Sequence, residues 1–422
     1  MNKIVLSAIT ASILGSMLQA GGDIKPVEEA DIAIVAAPNT LADAFKNGTV
    51  SGQIRGGYIN FSPAIDEDPA TSATALGGQL KFETAKFYGF DFGVAFYTSH
   101  AINELSGDKD EDEFNYELGS ENGHYDLLAE AYLDYSYADF KIRGGRQLID
   151  TPYADSDDIR MTPNTFEGVV ATYGISDFTL IGAYLTRWQG PDAEVYDFVD
   201  LLENPDANGV AMAAATYATD NIEAGLWYYG ADKTIDIIYA DATATYEITE
   251  GVELAGALQY ANQSEKDNSG LGGTLWGAMA EVGFSGVTLG IAYDTLDIDE
   301  GKTYFGGFGG GVAFVNMDET TAGAQAASQG IDAWKAMAGY DFSDIGAKGL
   351  AFEYHYGSFI GDNYGKIIEQ NLILAYAPSD EWDIELVYAN IEDKDLDIEF
   401  DENDNPMDVG FNRLLVRLSC NF

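Results

Sequence analysis

The sequence is short of basic residues, cysteine and histidine. Its 422 residues include 21 Lys and Arg against 70 Asp and Glu, a formal net charge of -49. Phosphate groups would be repelled by such a chain, which argues against a nucleic-acid partner. The single cysteine, Cys420, cannot form an internal disulfide. No serine-centred nucleophile motif accompanies the three histidines, so the sequence predicts no catalytic residue and no enzyme.

Long apolar runs are also missing. After the N-terminus, nothing approaches the roughly 20 continuous apolar residues that a membrane-spanning helix needs. Residues 1–20 have the pattern of a signal peptide: Lys3 is positive, 4–18 are apolar, and Leu18-Gln19-Ala20 is a cleavage site of small residues. An exported chain of this kind can still span a bilayer, but only as a closed barrel.

Glycine and aromatic residues are abundant, with 47 Gly and 13% Phe, Trp and Tyr. Polar and apolar residues alternate from about Val50 to the C-terminus without a seam, which favours one large β domain over 49–422. We predict an all-β fold, a transmembrane antiparallel barrel of about 18 strands. The predicted strands are Thr49–Phe61, Leu76–Phe87, Phe90–His100, His124–Tyr137, Asp139–Ile149, Thr165–Gly174, Asp177–Trp188, Gly209–Thr219, Asn221–Gly230, Thr234–Ile248, Gly251–Gln263, Gly272–Phe284, Gly286–Leu296, Ile331–Phe342, Ala347–Ser358, Gly365–Ala377, Glu381–Ile391 and Val409–Phe422.

The predicted connections alternate between tight turns and, usually, long segments. This asymmetry is typical of barrels in the Gram-negative outer membrane, whose turns face the periplasm and whose loops face outward. The last strand alternates up to a terminal Phe422, which resembles the signal read by the outer-membrane assembly machinery. Parity places Cys420 toward lipid, where it would be inert. Residues 21–48 are predicted to be a periplasmic leader; Thr40 to Gly48 either form one short helix or belong to a disordered segment.

Four motifs follow one another in the stretch Lys141–Val169. They are Gly145-Arg146-Gln147, Thr151-Pro152, Asp158-Ile159-Arg160 and Pro163-Asn164-Thr165-Phe166-Glu167-Gly168. This stretch resembles the third-loop region of OprD-type porins, and most closely the Opr porins of epsilonproteobacteria. Residues Ala44–Arg55 resemble the first strand of that group. The middle of the chain and the large loops carry no recognised motif.

The resemblance implies an 18-stranded barrel whose third loop folds into the lumen, and a passive channel without a cofactor. It implies a ladder of basic residues that guides solute carboxylates and an acidic patch that faces the ladder. The matching basic residues are Arg55, Arg143, Arg146 and Arg160. The matching acidic residues are Asp155, Asp157 and Asp158.

Strand alternation adds further candidates to the lumen. By parity, the inward-facing bases are Lys81, Lys141, Arg143, Arg187, Arg413 and Arg417. Arg146 has the opposite parity from Arg143, and it reaches the lumen only if Gly144 and Gly145 form a bulge. The alternative is that these arginines merely pair with lumen acids and stiffen the wall.

By the same parity, acids outnumber bases in the lumen. The inward-facing acids are Asp126, Glu130, Asp134, Glu253, Glu281, Asp294, Glu353, Glu369, Asp383 and Glu385. Charged rings in a narrow passage sort permeating ions, so this excess predicts a cation-leaning pore that suits amino acids and leaves carboxylates as a second solute class. The alternative function is a structural or adhesive barrel without a conducting pore.

Two features of the loops carry less weight. Acidic runs at 108–113, after Asp297 and at 397–404 are expected to be solvated, with divalent bridging to lipopolysaccharide as the alternative. The glycine-rich run 305–311 lacks a following helix and is expected to be loop rather than a phosphate site. Neither feature predicts a metal site, and no surface in the sequence indicates whether the protein forms the homotrimers common among porins.

Overall fold

The computed structural model describes residues 38–63, 69–326, 330–361, 365–393 and 410–422. The predicted signal peptide, the leader up to residue 37 and the acidic run 397–404 lie outside these residues. No helix in the described ranges is long and apolar enough to cross a bilayer. The longer of the two α-helices within these ranges, α1 (Leu41–Lys46), begins with a reciprocal cap between Thr40 and Asp43. A helix therefore forms where the sequence allowed one; its assignment to a periplasmic leader stays a prediction.

The described chain contains 21 strands. In chain order they are β1 (Thr49–Pro63), β2 (Thr71–Glu83), β3 (Phe90–Ala101), β4 (His124–Tyr137), β5 (Phe140–Gln147), β6 (Asp150–Thr151), β7 (Ala154–Asp155), β8 (Thr165–Ile175), β9 (Phe178–Gly190), β10 (Val195–Asp200), β11 (Val210–Ala218), β12 (Ile222–Ala231), β13 (Ile235–Thr249), β14 (Val252–Glu265), β15 (Gly273–Phe284), β16 (Val287–Ile298), β17 (Ile331–Asp341), β18 (Leu350–Gly361), β19 (Gly365–Ser379), β20 (Trp382–Asp393) and β21 (Phe411–Asn421). Short 3-10 turns cover Asn103–Leu105, Pro191–Ala193 and Phe342–Ile345, and a second helix, α2, covers Ala322–Gln325.

Eighteen of these strands form one closed antiparallel barrel, which confirms the predicted fold. Each wall strand pairs with the next, and β1 pairs with β21 to close the sheet. The other three are accessory: β6 and β7 form a small hairpin inside the third loop, and β10 pairs with the end of β9. Tight turns lie at one end of the barrel (the turn end) and longer connections at the other (the loop end).

The seam between β1 and β21 places arginines from the two ends of the chain side by side. Arg55 lies opposite Ser419, Gly57 opposite Arg417, and Phe61 opposite Arg413. In an antiparallel pair, directly opposed residues project to the same face of the sheet. The seam therefore carries a stripe of positive charge on one face.

The two faces of the wall differ in chemistry. Large apolar side chains such as Leu80, Leu258 and Trp276 are exposed on the outside. Alternate residues on the same strands, such as Lys81 beside Leu80 and Gln259 beside Leu258, face the lumen and bond to carboxylates there. An apolar outer band over a polar interior is the arrangement that a barrel needs in lipid, where every backbone hydrogen bond is made between strands.

A bulge in β4 reverses its inward face. Ala95 pairs with Glu130 and Phe96 with Leu128, so Ala129 is an extra residue in the ladder. Glu130 is buried inside, whereas Asp126 lies on the other face with its side chain 49% exposed and bound to His100. The prediction that Asp126 shares the lumen face with Glu130 was wrong, because one inserted residue exchanges the faces of a strand.

The third loop is not the only connection that folds into the barrel: the β3–β4, β9–β11 and β16–β17 connections also pack against the inner wall. The third loop (residues 148–164) buries Tyr153 and Met161, as expected. The described part of the β16–β17 loop (residues 299–326) also packs inside, with Phe308 and Val315 buried. The glycine-rich run 305–311 is loop, as expected, and it belongs to this inward-folded connection.

The third loop and the β16–β17 loop are joined by main-chain hydrogen bonds. The N–H of Asp155 donates to the carbonyl of Phe308 at 2.8 Å, and the N–H of Phe308 donates to the carbonyl of Tyr153 at 3.0 Å. The hydroxyls of Tyr153 and Tyr304 are 2.8 Å apart. Gly309 has a φ of 120°, and a Cβ there would lie 2.5 Å from the carbonyl oxygen of Asp155. Glycine is required at this point because the backbones approach too closely for any side chain.

Candidate functional site

The third loop is fixed to the wall by Arg55. Its guanidinium binds both carboxylate oxygens of Asp158, at 2.6 and 2.7 Å, and donates to the carbonyl of Arg160 at 2.8 Å. Its Nε donates to the hydroxyl of Ser419 at 3.2 Å. The planar fork of arginine matches a carboxylate in this bidentate geometry. Arg55 therefore orients the loop rather than standing free in the pore.

Arg417, across the seam, holds the same loop from the other side. Its guanidinium binds Glu385 of β20 and donates to the carbonyl of Asp158. A longer hydrogen bond of 3.4 Å reaches the carbonyl of Arg160. Both strands of the seam thus contribute to positioning the loop.

Arg160 and Arg413 bring in two further loops. Arg160 lies 2.8 Å from Glu117 of the β3–β4 loop. Arg413, whose side chain is completely buried, lies 3.3 Å from Glu117 and 3.3 Å from Asp318, and also contacts Glu319. Asp318 and Glu319 belong to the β16–β17 loop. Three loops and the seam therefore meet around these two arginines.

We call this group the constriction network. It consists of four arginines and five carboxylates, namely Arg55, Arg160, Arg413, Arg417, Glu117, Asp158, Asp318, Glu319 and Glu385. The sequence pointed to the arginines, to Asp158 and to Glu385. It missed Glu117, Asp318 and Glu319, because acids in loops have no strand alternation to indicate where they face.

Two carboxyls of the network keep a low pKa. Burial alone would raise the pKa of Asp158, but the hydrogen bonds from Arg55 outweigh it and hold that pKa below its ordinary value. Burial would likewise raise the pKa of Glu117, and the charges of Arg160 and Arg413 lower it instead. Both groups are therefore anionic at neutral pH, and Asp158 belongs to the basic side of the pore rather than to a separate acidic patch.

A cavity of about 620 Å³ lies between the third loop, the β16–β17 loop and the wall. Its charged lining residues are Asp157, Arg160, Asp192, Asp318, Glu319 and Lys335. Lys335 is buried on β17 and donates to the carbonyl of Asn316 at 2.9 Å. Four acids thus face two bases across this space. The sequence did not single out Asp192 or Lys335.

The third-loop acids beside this cavity have raised pKa values. Burial, helped by the charges of Asp192 and Asp155, raises the pKa of Asp157 to about 8. Burial also raises the pKa of Asp155 to about 7, although the N–H of Asp157 donates to it, and it raises the pKa of Asp192. Asn164 holds Asp192 with a hydrogen bond of 2.5 Å. This acidic group consequently gains negative charge through the neutral range as pH rises.

A second set of bases lines the inner wall toward the turn end. Lys81 lies 3.0 Å from Glu130, while Lys141 and Arg143 lie 3.3 and 2.7 Å from Asp134. All three face the lumen as strand parity predicted. Each is paired with a carboxylate from β4, so this part of the ladder is also neutralised.

Arg146 and Arg187 lie elsewhere. Both are close to Glu167, at 3.3 and 3.9 Å. The ladder of β5 shows no register shift at Gly144 and Gly145. The Arg146 guanidinium nevertheless lies 4.3 Å from the centre of the Phe198 ring, which packs with the inward-facing Tyr97 and Ala129. The pairing with Glu167 separates both arginines from the constriction network.

Arg187 lies beside Phe198 of β10: its guanidinium donates to the carbonyl of Phe198, whose ring packs with the inward-facing Tyr97 and Ala129. The ladder between β8 and β9 shifts beside Glu167, so that the residue paired with Glu167 is Arg187 and the one paired with Gly168 is Leu185. Trp188, the next residue, packs inward against Phe308. Arg187 and Trp188 therefore both contact groups inside the barrel, and a role of Arg187 in the pore stays a prediction.

Comparisons with known proteins agree with this geometry. Residues 114–393 match the sequence profile described as outer membrane porin, OprD family. The outer membrane protein OpdK of Pseudomonas aeruginosa superimposes with a TM-score of 0.73 at 16% identity, over 90% of this chain and 99% of that chain. OccK8 (OprE) and OpdQ of the same organism give TM-scores of 0.71 and 0.72 at 16% identity, with the same coverage. One of the OpdK structures contains vanillate.

No curated protein sequence matches the chain. The solved structures are too distant in sequence to show more than a shared fold. The family profile, however, covers about two thirds of the chain, including the third loop and the cavity. The protein thus belongs to the OprD family of porins, which are channels for small solutes in the Gram-negative outer membrane.

Proposed function

We propose that this porin is a cation-leaning passive channel whose constriction favours solutes that carry both signs of charge, such as amino acids. The observation that supports this most directly is the balance of charge. In the constriction network five carboxylates surround four arginines, and each arginine contacts at least one of them.

A simple anion gains little from arginines that are already paired. To bind Arg55, for example, a solute carboxylate has to replace Asp158, which holds the guanidinium through two short hydrogen bonds. A cation instead meets carboxylates along the cavity, including Asp192 and Glu319. Fixed charges in a narrow passage act strongly because little water screens them.

The cavity explains the preference for zwitterions. Asp192 and Glu319 can accept hydrogen bonds from an ammonium group, and Lys335 can donate to a carboxylate in the same space. A solute with both groups matches both kinds of partner, whereas a simple ion matches only one. Specificity of this type comes from a few placed polar groups in a pocket.

We also propose the processing and contacts that the sequence suggested. Residues 1–20 are removed on export, and the final strand with Phe422 engages the assembly machinery. The N–H of Phe422 donates to the carbonyl of Gly52 at 3.0 Å, so the last residue continues the seam. Contact with lipopolysaccharide and a homotrimer complete this proposal. N-terminal sequencing and chemical cross-linking in whole cells test these points.

The main test uses the refolded mature chain in a planar bilayer across a KCl gradient. The reversal potential is expected to have the sign of cation preference at neutral pH. In liposome swelling, glycine is expected to enter faster than the anion vanillate at equal concentration. Anion preference in the first assay, or faster entry of vanillate in the second, would overturn the proposal.

A further inference from the structure

The turn-end half of the lumen has an acidic wall. Across strands β12–β18, the only Lys or Arg is Lys335, which lies toward the loop end of β17. The inner faces of the same strands carry seven acids closer to the turn end, namely Glu223, Asp241, Glu247, Glu253, Glu281, Asp341 and Glu353. The bases Lys81 and Arg143 occupy strands far from these in the barrel order. The lumen beyond the constriction is therefore negative on one side.

Three of the acids border a stretch of the inner wall that carries two glycines and runs across five strands, β14 to β18. Glu281 is opposite Ala255, and Gly283 is opposite Glu253, so Glu253 and Glu281 are diagonal neighbours at about 7–8 Å. From Gly283 the same row continues through Thr288 and Gly339 to Glu353. We call Glu253, Glu281, Gly283, Gly339 and Glu353 the acidic recess.

The floor of the recess is open. A Cβ added at Gly283 would meet no atom within 4 Å. Gly339 adds a second position without a side chain in the same row. On the far side, Glu353 is bound by His355 at 2.9 Å, which fixes its carboxylate. The open position at Gly283 therefore lies next to the carboxylates of Glu253 and Glu281.

Glu281 is the acid whose charge is left unmatched. The residue is only 4% exposed, and its Oε2 has no hydrogen-bond partner among the described residues. By contrast, the buried acids Glu130 and Asp134 of β4 are bound by lysine or arginine. A buried carboxylate without a donor is costly, so a donor supplied by a solute would be strongly favoured.

We propose that the acidic recess is a second binding site of the lumen, on the turn side of the constriction, for the ammonium or guanidinium group of a passing solute. A metal ion fits less well, because within the described ranges no group of three His, Cys, Asp or Glu residues is placed to hold one. An ammonium group carries three donors, enough to reach separate carboxylates. This inference rests on the cation-leaning channel proposed above. A cationic solute that has passed the constriction would bind at the acidic recess next.

The test is block of single-channel K⁺ current by 1,4-diaminobutane added at the turn end of oriented channels. Glu281→Gln and Glu253→Gln are each expected to raise the half-blocking concentration about tenfold, or about 1.4 kcal/mol. Glu250→Gln is the matched control, since it removes the same charge in the neighbouring turn; it is expected to change the value by less than about twofold. Gly283→Lys keeps every carboxylate and should abolish block by placing a tethered ammonium in the recess.

The outcomes are separable. If Glu281→Gln and Glu253→Gln behave like Glu250→Gln, the recess is not a binding site. If Glu281→Gln does not fold, as shown by heat-modifiable mobility on gels, unchanged block in Gly283→Lys overturns the inference instead. The reversal potential, recorded in the same channels, reports on the proposed function alone. If the channel prefers cations but the substitutions do not alter the block, the recess is not a binding site and the proposed function still holds.

Discussion

Asp158→Asn should loosen the third loop without unfolding the barrel. Asp158 accepts two short hydrogen bonds from Arg55, whose side chain is only 5% exposed. Hydrogen bonds to charged groups contribute about 1.5–3 kcal/mol each. Because the Asp158 side chain is 43% exposed and asparagine can still accept one bond, we take a net loss of about 2 kcal/mol. At 1.4 kcal/mol per factor of ten, the undocked fraction of the loop rises about thirtyfold.

The assay is single-channel recording of the open state. Asp158→Asn is expected to show more frequent brief changes of conductance and weaker cation preference, because the variant leaves Arg55 without its anion. Asp332→Asn is the control: it is the same substitution near the loop end, on a residue bound to Tyr293 outside the constriction network. Equal open-state noise and equal reversal potentials in the two variants would refute the anchoring role of Arg55 and Asp158.

Three further predictions concern the inner loops and the wall. Burial raises the pKa values of Asp155 and Asp157 to about 7 and about 8, so these carboxyls lose their protons as pH rises. The cation preference measured in bilayer recordings should therefore increase between pH 6 and 9. If the increase persists when both residues are changed to asparagine, the prediction is wrong. Tyr153→Phe removes one buried hydroxyl contact between the third loop and the β16–β17 loop, at a cost of about 1 kcal/mol. Limited proteolysis of these loops in intact barrels should therefore become faster. Unchanged cleavage would show that the contact does not hold the loops together. Gly145→Ala should impair folding on heat-modifiable gels, because the φ is 125° and a Cβ would lie 2.2 Å from a carbonyl oxygen, while Gly182→Ala, with open space around it, should fold normally.

Strand alternation was sufficient to predict the barrel. The predicted range His124–Tyr137 coincides with β4, because period-two patterning reports which residues are extended. It does not report ladder registration, and a bulge leaves no clear mark in the sequence. Asp126 was placed on the wrong face for this reason, since it precedes one inserted residue, Ala129.

The sequence predicted only part of the candidate site. Arg413 and Arg417 were predicted because they lie on a regular strand. Glu117 and Glu319 come from loops, and their approach to Arg413 depends on how those loops pack in three dimensions. The glycine-rich run 305–311 did contain a signal: several closely spaced glycines allow a backbone to pass very near another, as it does beside the third loop.

The position of the arginine stripe on the β1–β21 seam has a consequence for biogenesis. Arg55 comes from the first strand to be synthesised, and Arg413 and Arg417 come from the last, yet all three hold the same set of loop contacts. Until the two ends of the sheet meet, Asp158 has only part of its cationic partners. The pore lining is therefore completed by the same step that removes the free edges of the sheet, and an unclosed barrel would lack both a sealed wall and a fully anchored third loop.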